Sequence, residues 1–297
     1  MNISYDNKMK MAFDKPLEYK GVLLYPATLL YYSIFACADE CLDVSRMDER
    51  DIRLLRLPYL EYIYEKSLID TDFKNKWDML ICILNIVFGE EQPFDILKED
   101  GRLCIKVYQR SANYKGLEKE YNELKEKYVK GELGDINIQK VATQLQTIQE
   151  KMYNHIIINS NEFDDIRNLI MLQNDIKPEH YDKKTEEFLY QMKEKLRAAR
   201  KTDDTDLEDL ITIVAYSTHK DNSEMEGMTI RRFNRFLQIA LSKDDYYMYK
   251  KLELSGMIKM KSDIPHWIRH YEPKGKFDDI LVSGNSLMSS LQDGGKI

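Results

Sequence analysis

The apolar positions of this chain change period several times, and each change marks an element. "KPLEYKGVLLY", Lys15 to Tyr25, reads as a short hairpin: Lys20-Gly21 supplies the turn, and Val22, Leu23, Leu24 and Tyr25 favour strand. Pro26 suits the first turn of a helix. Leu29, Leu30, Ile34, Phe35 and Ala38 then give a broad apolar face over roughly 27–44. A second helix, about 48–69, carries Ile52, Leu55, Tyr59, Leu60, Ile63 and Tyr64, and Pro58 should kink or split it. A third, about 72–89, is apolar on most sides, as a core helix is, and stops at Gly89. After Pro93 a short linker leads to "GRLCIKVYQ", a strand signal.

Residues 112–154 follow another rhythm. Leu117, Tyr121, Leu124 and Tyr128 recur at four, three and four; Ile138, Val141, Leu145, Ile148 and Met152 recur at three, four, three and four. Both are heptad seams, separated by Gly131 and Gly134. They predict an antiparallel helical hairpin that projects from the body. The three consecutive isoleucines of His155 to Asn159 signal a strand, expected to pair with Leu103 to Tyr108. The hairpin would then be an insertion between neighbouring strands.

Phe163, Ile166, Leu169 and Ile170 mark the buried face of the next helix, capped by Ser160 or Asn161. A charged amphipathic helix covers 184–200, and "KTDDTD" is a loop. Asp206 or Thr205 caps "LEDLITIVAYSTH", expected to be buried. Thr229 caps a helix from Ile230 to about Leu241, which Lys243 to Ser255 continues or restarts before Gly256. A short closing helix after Pro265 would pack Trp267 against the core or a partner. The Gly- and Ser-containing end retains Phe277, Ile280 and Leu281, a surplus of apolar residues for a pure spacer.

These elements predict a mainly α fold with small β elements (α+β). Residues 15–111 and 155–271 make one helical body, 112–154 the inserted antiparallel hairpin, and 272–297 a polar tail with an apolar docking segment.

Composition narrows the function. Apolar residues are 43% of 297, enough for a sizeable core, and no apolar run approaches the length needed to cross a bilayer. The start, "MNISYDNKMKMAFDKPLEYKG", lacks the apolar core of a secretory signal, so a cytosolic protein is expected. The net charge is −7, and basic residues interleave with acids, as on a solvated helix face. The basic stripe of a nucleic-acid binder is missing, and no nucleic acid is expected as partner. Cys37, Cys41, Cys82 and Cys104 include no C-x-x-C, and Cys37 and Cys41 read as two buried thiols in a reducing compartment.

His266 and His270 are spaced so that a helix could bring both to one metal. A zinc protease needs an acid between them, whereas this stretch reads "HWIRH". Flanking a helix that buries Trp267 is the stronger reading. Asp164, Asp165, Asp203, Asp204 and Asp206 sit at helix starts, where the helix dipole favours negative charge. The chain has no Gly-rich phosphate loop and no G-x-S-x-G elbow. No enzyme, metal or cofactor is expected. Tyr246, Tyr249 and Leu252 form one helical stripe suited to a core or a partner face.

Several stretches carry a resemblance. "YKGVLLYPATLLYYSIFACADECL", "NEFDDIRNLIMLQNDI", "LEDLITIVAYST", "MTIRRFNRFLQIAL" and "YKKLELSGMIKMK" resemble proteins encoded among the tail genes of phages and prophages of low-GC Gram-positive bacteria. These look like tail assembly chaperones or baseplate-associated assembly proteins. The resemblance implies a binding protein acting in the host cytoplasm on tail components, such as the tape-measure protein or a baseplate subunit. It leaves open a structural subunit of the mature virion tail, and self-association. The contact residues expected are Leu117, Tyr121, Leu124 and Tyr128 on the hairpin, Tyr246, Tyr249 and Trp267, and Phe277, Ile280 and Leu281 in the tail.

Overall fold

A computed structural model describes residues 5–130, 138–200, 206–255, 266–268, 273, 275 and 277–278, without the side chains of 138–139 and 196–200. It is an α+β fold, mainly helical, with two small antiparallel sheets. Instead of one body, the chain divides into two compact units: residues 1–25 with 56–169, and residues 26–55 with 170–297. The division at 169–170 falls inside a helix, where no linker composition marks it.

The first unit begins with helix α1 (Tyr5–Ala12) and the predicted hairpin, β1 (Leu17–Tyr19) and β2 (Val22–Leu24). Lys20 and Gly21 both have positive φ (50° and 86°), the two-residue turn that matches strand twist. The buried Gln92 side chain pairs with β2 much as a strand would. Its Oε1 accepts from the Leu23 N–H at 2.9 Å, and its Nε2 donates to the carbonyls of Leu23 (2.7 Å) and Phe88 (3.0 Å).

The helix expected over 48–69 is split at Pro58, whose backbone is extended (ψ 156°). The pieces are α4 (Ile52–Leu55), which falls in the second unit, and α5 (Tyr59–Ser67). Helix α6 (Thr71–Phe88) starts at Asp70, whose side chain accepts from the Asp72 N–H at 2.9 Å, and stops at Gly89. Its Leu80, Ile83, Leu84, Val87 and Phe88 are buried. Each such burial contributes about 1.5–3 kcal/mol before chain entropy is counted.

The second sheet runs β3-β4-β5: β3 (Phe94–Glu99), β4 (Arg102–Arg110) and β5 (Tyr153–Asn159). The predicted pairing of β4 with β5 is present, with Ile105 opposite Ile158 and Val107 opposite Ile156. Helices α7 (Tyr114–Val129) and α8 (Ile138–Met152) lie between these strands in sequence and pack along each other, as an inserted hairpin does. Strand β3 replaces the expected linker. Asp100 and Gly101 have φ of 49° and 79°, and this Asp-Gly turn folds β3 back on β4.

The second unit is tied together where three segments meet. The Ala27 N–H donates to Asn174 Oδ1 at 2.9 Å, and the Leu29 N–H donates to the Met228 carbonyl at 2.9 Å. The Ile230 N–H donates to the Ala27 carbonyl at 3.0 Å, so Thr28 and Thr229 form a β-bridge. These bonds hold Thr28 extended and occupy the Ala27 carbonyl, which a helix from 27 would need for its first turn. The helix expected over 27–44 is consequently replaced by a 3-10 turn (Leu29–Tyr31), α2 (Tyr32–Phe35) and α3 (Asp39–Leu42). Cys41 is buried, but Cys37 is exposed, so the pair does not share one core face.

The division between units falls in α9 (Phe163–Gln173), and the charged helix is α10 (Lys183–Arg200). Helix α11 (Leu207–Thr218) starts with a capping box, in which Asp206 and Asp209 each bind the other's backbone N–H. Only part of α11 is buried: Val214 and Ala215 are covered, whereas Tyr216 is exposed. A short α12 (Asn222–Met225) precedes α13 (Ile230–Leu254), which is one continuous helix capped by Thr229. The core here is Leu29, Val214, Ala215, Met225, Met228 and Phe233, with Tyr32 edge-on to Phe233 at 6.1 Å.

Candidate partner-binding surfaces

The hairpin seam is occupied by the hairpin itself. Val141, Ile148 and Met152 on α8 are buried, and Leu117, Tyr121 and Leu124 on α7 are half-buried. The last three thus hold two helices together rather than standing open for a partner. Tyr128 remains exposed, as does the neighbouring Val129. At the hairpin base the Tyr153 ring lies 5.5 Å from Tyr114 and 6.2 Å from Tyr108, and the Arg110 guanidinium sits 4.8 Å over Tyr114. Hydrogen bonding to Tyr153, and then to Glu118, pushes the Tyr114 hydroxyl up to about 12. These contacts rigidify the base and involve no open reactive group.

The tail residue Phe277 is an internal contact. It is 1% exposed and packs edge-on between Tyr181 (5.5 Å) and Tyr190 (5.2 Å). Lys177 Nζ reaches both oxygens of the adjacent Asp278 at 3.1 Å, and Asp278 Oδ2 accepts from the Gly275 N–H at 2.7 Å. The hydrogen bond with Asp278 holds the Lys177 ammonium above its ordinary pKa. Burial pushes the Tyr181 hydroxyl up. The apolar tail residues are expected to dock on a partner or on this chain; for Phe277 its own chain does so, through tyrosines whose proximity local spacing does not reveal. Ile280 and Leu281 lie outside the described residues.

Helix α13 is different. Phe233, Ala240, Tyr247 and Leu254 recur every seven residues, so they share one face of the helix. Phe233 and Ala240 are buried, but Tyr247 is 49% exposed and Leu254 84% exposed. A stripe that is core in the first half emerges uncovered in the second. Met248 and Tyr249 beside it are also exposed. Tyr246 is half-buried, with His266 at 5.2 Å, and His266 stacks on the half-buried Trp267 at 5.5 Å. Tyr247 and Leu254 thus form the open stripe; of the expected Tyr246, Tyr249 and Leu252, Tyr249 is exposed and the other two are half-buried. The seven-residue repeat from Phe233 is the signal that marks it.

His266 does not lie in a helix; its Nδ1 accepts from the Ile268 N–H at 3.1 Å. His270 lies outside the described residues. Among the described residues, no group of three His, Cys, Asp or Glu side chains is placed to hold a metal ion. None of their helices is long and apolar enough to cross a membrane.

Residues 198–272 match the family model of the YomV second domain, a family associated with Bacillus phages and prophages. The whole of α11, α12 and α13 falls within that match. No curated protein matches the chain, and no solved structure does. The likeness points to a phage-related protein.

Proposed function

We propose that this chain is a non-enzymatic phage tail morphogenesis protein that holds a tail or baseplate component during assembly, in the manner of a chaperone. The carrying observation is the α13 stripe, buried at Phe233 and Ala240 and open at Tyr247 and Leu254. An amphipathic helix of a tape-measure protein or baseplate subunit would extend the core along that stripe, burying apolar surface on both sides. Tyrosine and methionine suit such a contact: tyrosine buries area while keeping a polar end, and methionine adapts its shape. Two further observations support the reading. The stripe lies inside the segment similar to the YomV second domain. The resemblance to tail-gene proteins falls on the same helix, in "MTIRRFNRFLQIAL" and "YKKLEL".

The test is co-expression of the full chain with each tail protein encoded beside it, followed by co-purification. Mass spectrometry of purified virions is the second arm. An assembly factor co-purifies with a tail component and is absent from finished particles. A fixed copy number in virions would instead make the chain a structural subunit.

A further inference from the structure

The free edge of β3 borders a groove of about 590 Å³, walled by Tyr64 of α5, Trp77 and Ile81 of α6, and Phe94, Ile96 and Lys98 of β3 itself. The hydrogen-bond register determines what this edge offers. In a two-residue hairpin the residues flanking the turn, here Glu99 and Arg102, exchange both backbone bonds. Alternation then directs residues 97, 95 and 93 toward β4, consistent with the Tyr108 N–H donating to the Pro93 carbonyl at 2.8 Å. The N–H and C=O groups of Phe94, Ile96 and Lys98 therefore point away from β4, the one strand neighbour of β3 among the described residues. The same three residues stand opposite Val107, Ile105 and Leu103, so their side chains face the helices and line the groove. Donors, acceptors and an aromatic-walled slot for alternate side chains lie side by side, which is the arrangement strand addition uses.

Charge selects the occupant. On the opposite face of β3, Asp95 and Glu99 flank the exposed Leu97, and Asp100 follows in the turn; the cations across from Asp95 and Glu99, Lys106 and Arg102, stand on the β4 side, away from the free edge. Asp95 accepts from the Tyr108 hydroxyl at 2.9 Å. The cation in the groove, Lys98, is already engaged by Glu65 at 3.4 Å and lies 5.2 Å over the Tyr64 ring. A second copy pairing here about a two-fold axis would place two sets of carboxylates on one sheet face, and like charges across strands repel. A foreign strand with lysine or arginine outward and aliphatic residues inward meets both faces.

We propose that β3 receives an extended segment of another protein, apolar on one face and basic on the other, by antiparallel or parallel strand addition. The site lies in the first unit, and the proposal does not depend on the α13 contact or on a role in tail assembly.

The chain contains two tryptophans, so Trp267→Phe leaves Trp77 as the sole indole and a reporter of the groove. The full chain carrying that change is titrated with acetyl-Lys-Val-Thr-Ile-Lys-Val-amide and with the same peptide bearing Glu for Lys. Saturable change in Trp77 emission is expected with the lysine peptide, with binding at least ~10-fold weaker for the glutamate peptide. Lys98→Pro removes an N–H that faces away from β4, a change an edge strand tolerates, and should weaken binding at least ~10-fold. Lys98→Ala removes the same groove-lining side chain but keeps that N–H, and should bind more tightly than the Pro variant. Circular dichroism confirms that both variants fold. No saturable change, equal binding of both peptides, or equal binding by the Pro and Ala variants would overturn the proposal. A dimer that Lys98→Pro dissociates, seen by sedimentation, would assign the edge to a second copy and overturn it too.

Discussion

The Arg231 guanidinium lies 3.2 Å from the Asp175 carboxylate, and both side chains are largely withdrawn from solvent (15% and 1% exposed). Arg231 also donates to the Leu172 carbonyl at 2.8 Å. The first turn of α13 is thus fastened to the end of α9 by a charge pair, beside the bonds from Ala27 to Asn174 and Ile230. Removing one partner strands the other's charge in a poorly solvated site. Asp175→Asn also suits the left-handed backbone at this position (φ 57°), so it tests charge rather than conformation. The expected cost is ~3 kcal/mol in chemical denaturation, with much of it restored by adding Arg231→Met. A single-variant cost below ~1 kcal/mol would show the pair to be unimportant.

The helical hairpin should be separable from the rest. The Ser111 N–H donates to the Met152 carbonyl at 2.8 Å, so the two ends already lie together. Replacing residues 112–152 with a short Asn-Gly turn leaves the β4–β5 ladder intact. The shortened chain is expected to retain a cooperative thermal transition while losing the circular dichroism of two helices. Loss of cooperativity would mean that the hairpin seam supports the body.

Much of this was legible in the sequence because the signals were local and repeated. Heptad spacing located α7 and α8, and three consecutive isoleucines located β5 and its partner. Strand β3 was missed although Asp100-Gly101 announces its turn, because Leu97 sits out of phase with Phe94 and Ile96 and blurs the alternation. The unbroken helix expected from Ala27 fails for a tertiary reason: residues 27–30 bond to segments about 145 and 200 positions away, Asn174 and Met228 among them. Phe277 follows the same logic, since only folding brings Tyr181 and Tyr190 around it. On α13 the repeat was visible, but burial alone separates its covered half from its open half.

The contact at Phe277 predicts a local effect. Phe277→Ala should loosen the 275–278 turn without unfolding the unit. Amide exchange at Gly275 and Asp278, which bond across that turn at 2.7 and 3.3 Å, should accelerate at least ~10-fold. Unchanged exchange would show that Lys177 alone holds the turn.

Alkaline pH should loosen the first unit at Tyr19. Its hydroxyl donates to Asp165 Oδ2 at 3.0 Å. Burial, then that bond and the charges of Asp165 and Glu162, raise its pKa from 10.0 to about 12. A raised folded-state value means that the neutral hydroxyl is favoured, so its contribution is complete below pH 10 and disappears as pH rises through about 12. Tyr19→Phe should be less stable than the parent below pH 10, with the gap closing between 10 and about 12. A gap that stays constant across that window would contradict the assignment.

The most direct test of the account is the open face of α13. Tyr247→Ala with Leu254→Ser removes the exposed half of the stripe and leaves Phe233 and Ala240 in the core. Affinity for the co-purifying tail or baseplate protein, measured by calorimetry, should fall at least ~100-fold while the thermal midpoint stays within a few degrees, as expected for losing two central interface side chains. Unchanged affinity in a folded variant would contradict the claim that this stripe holds the partner.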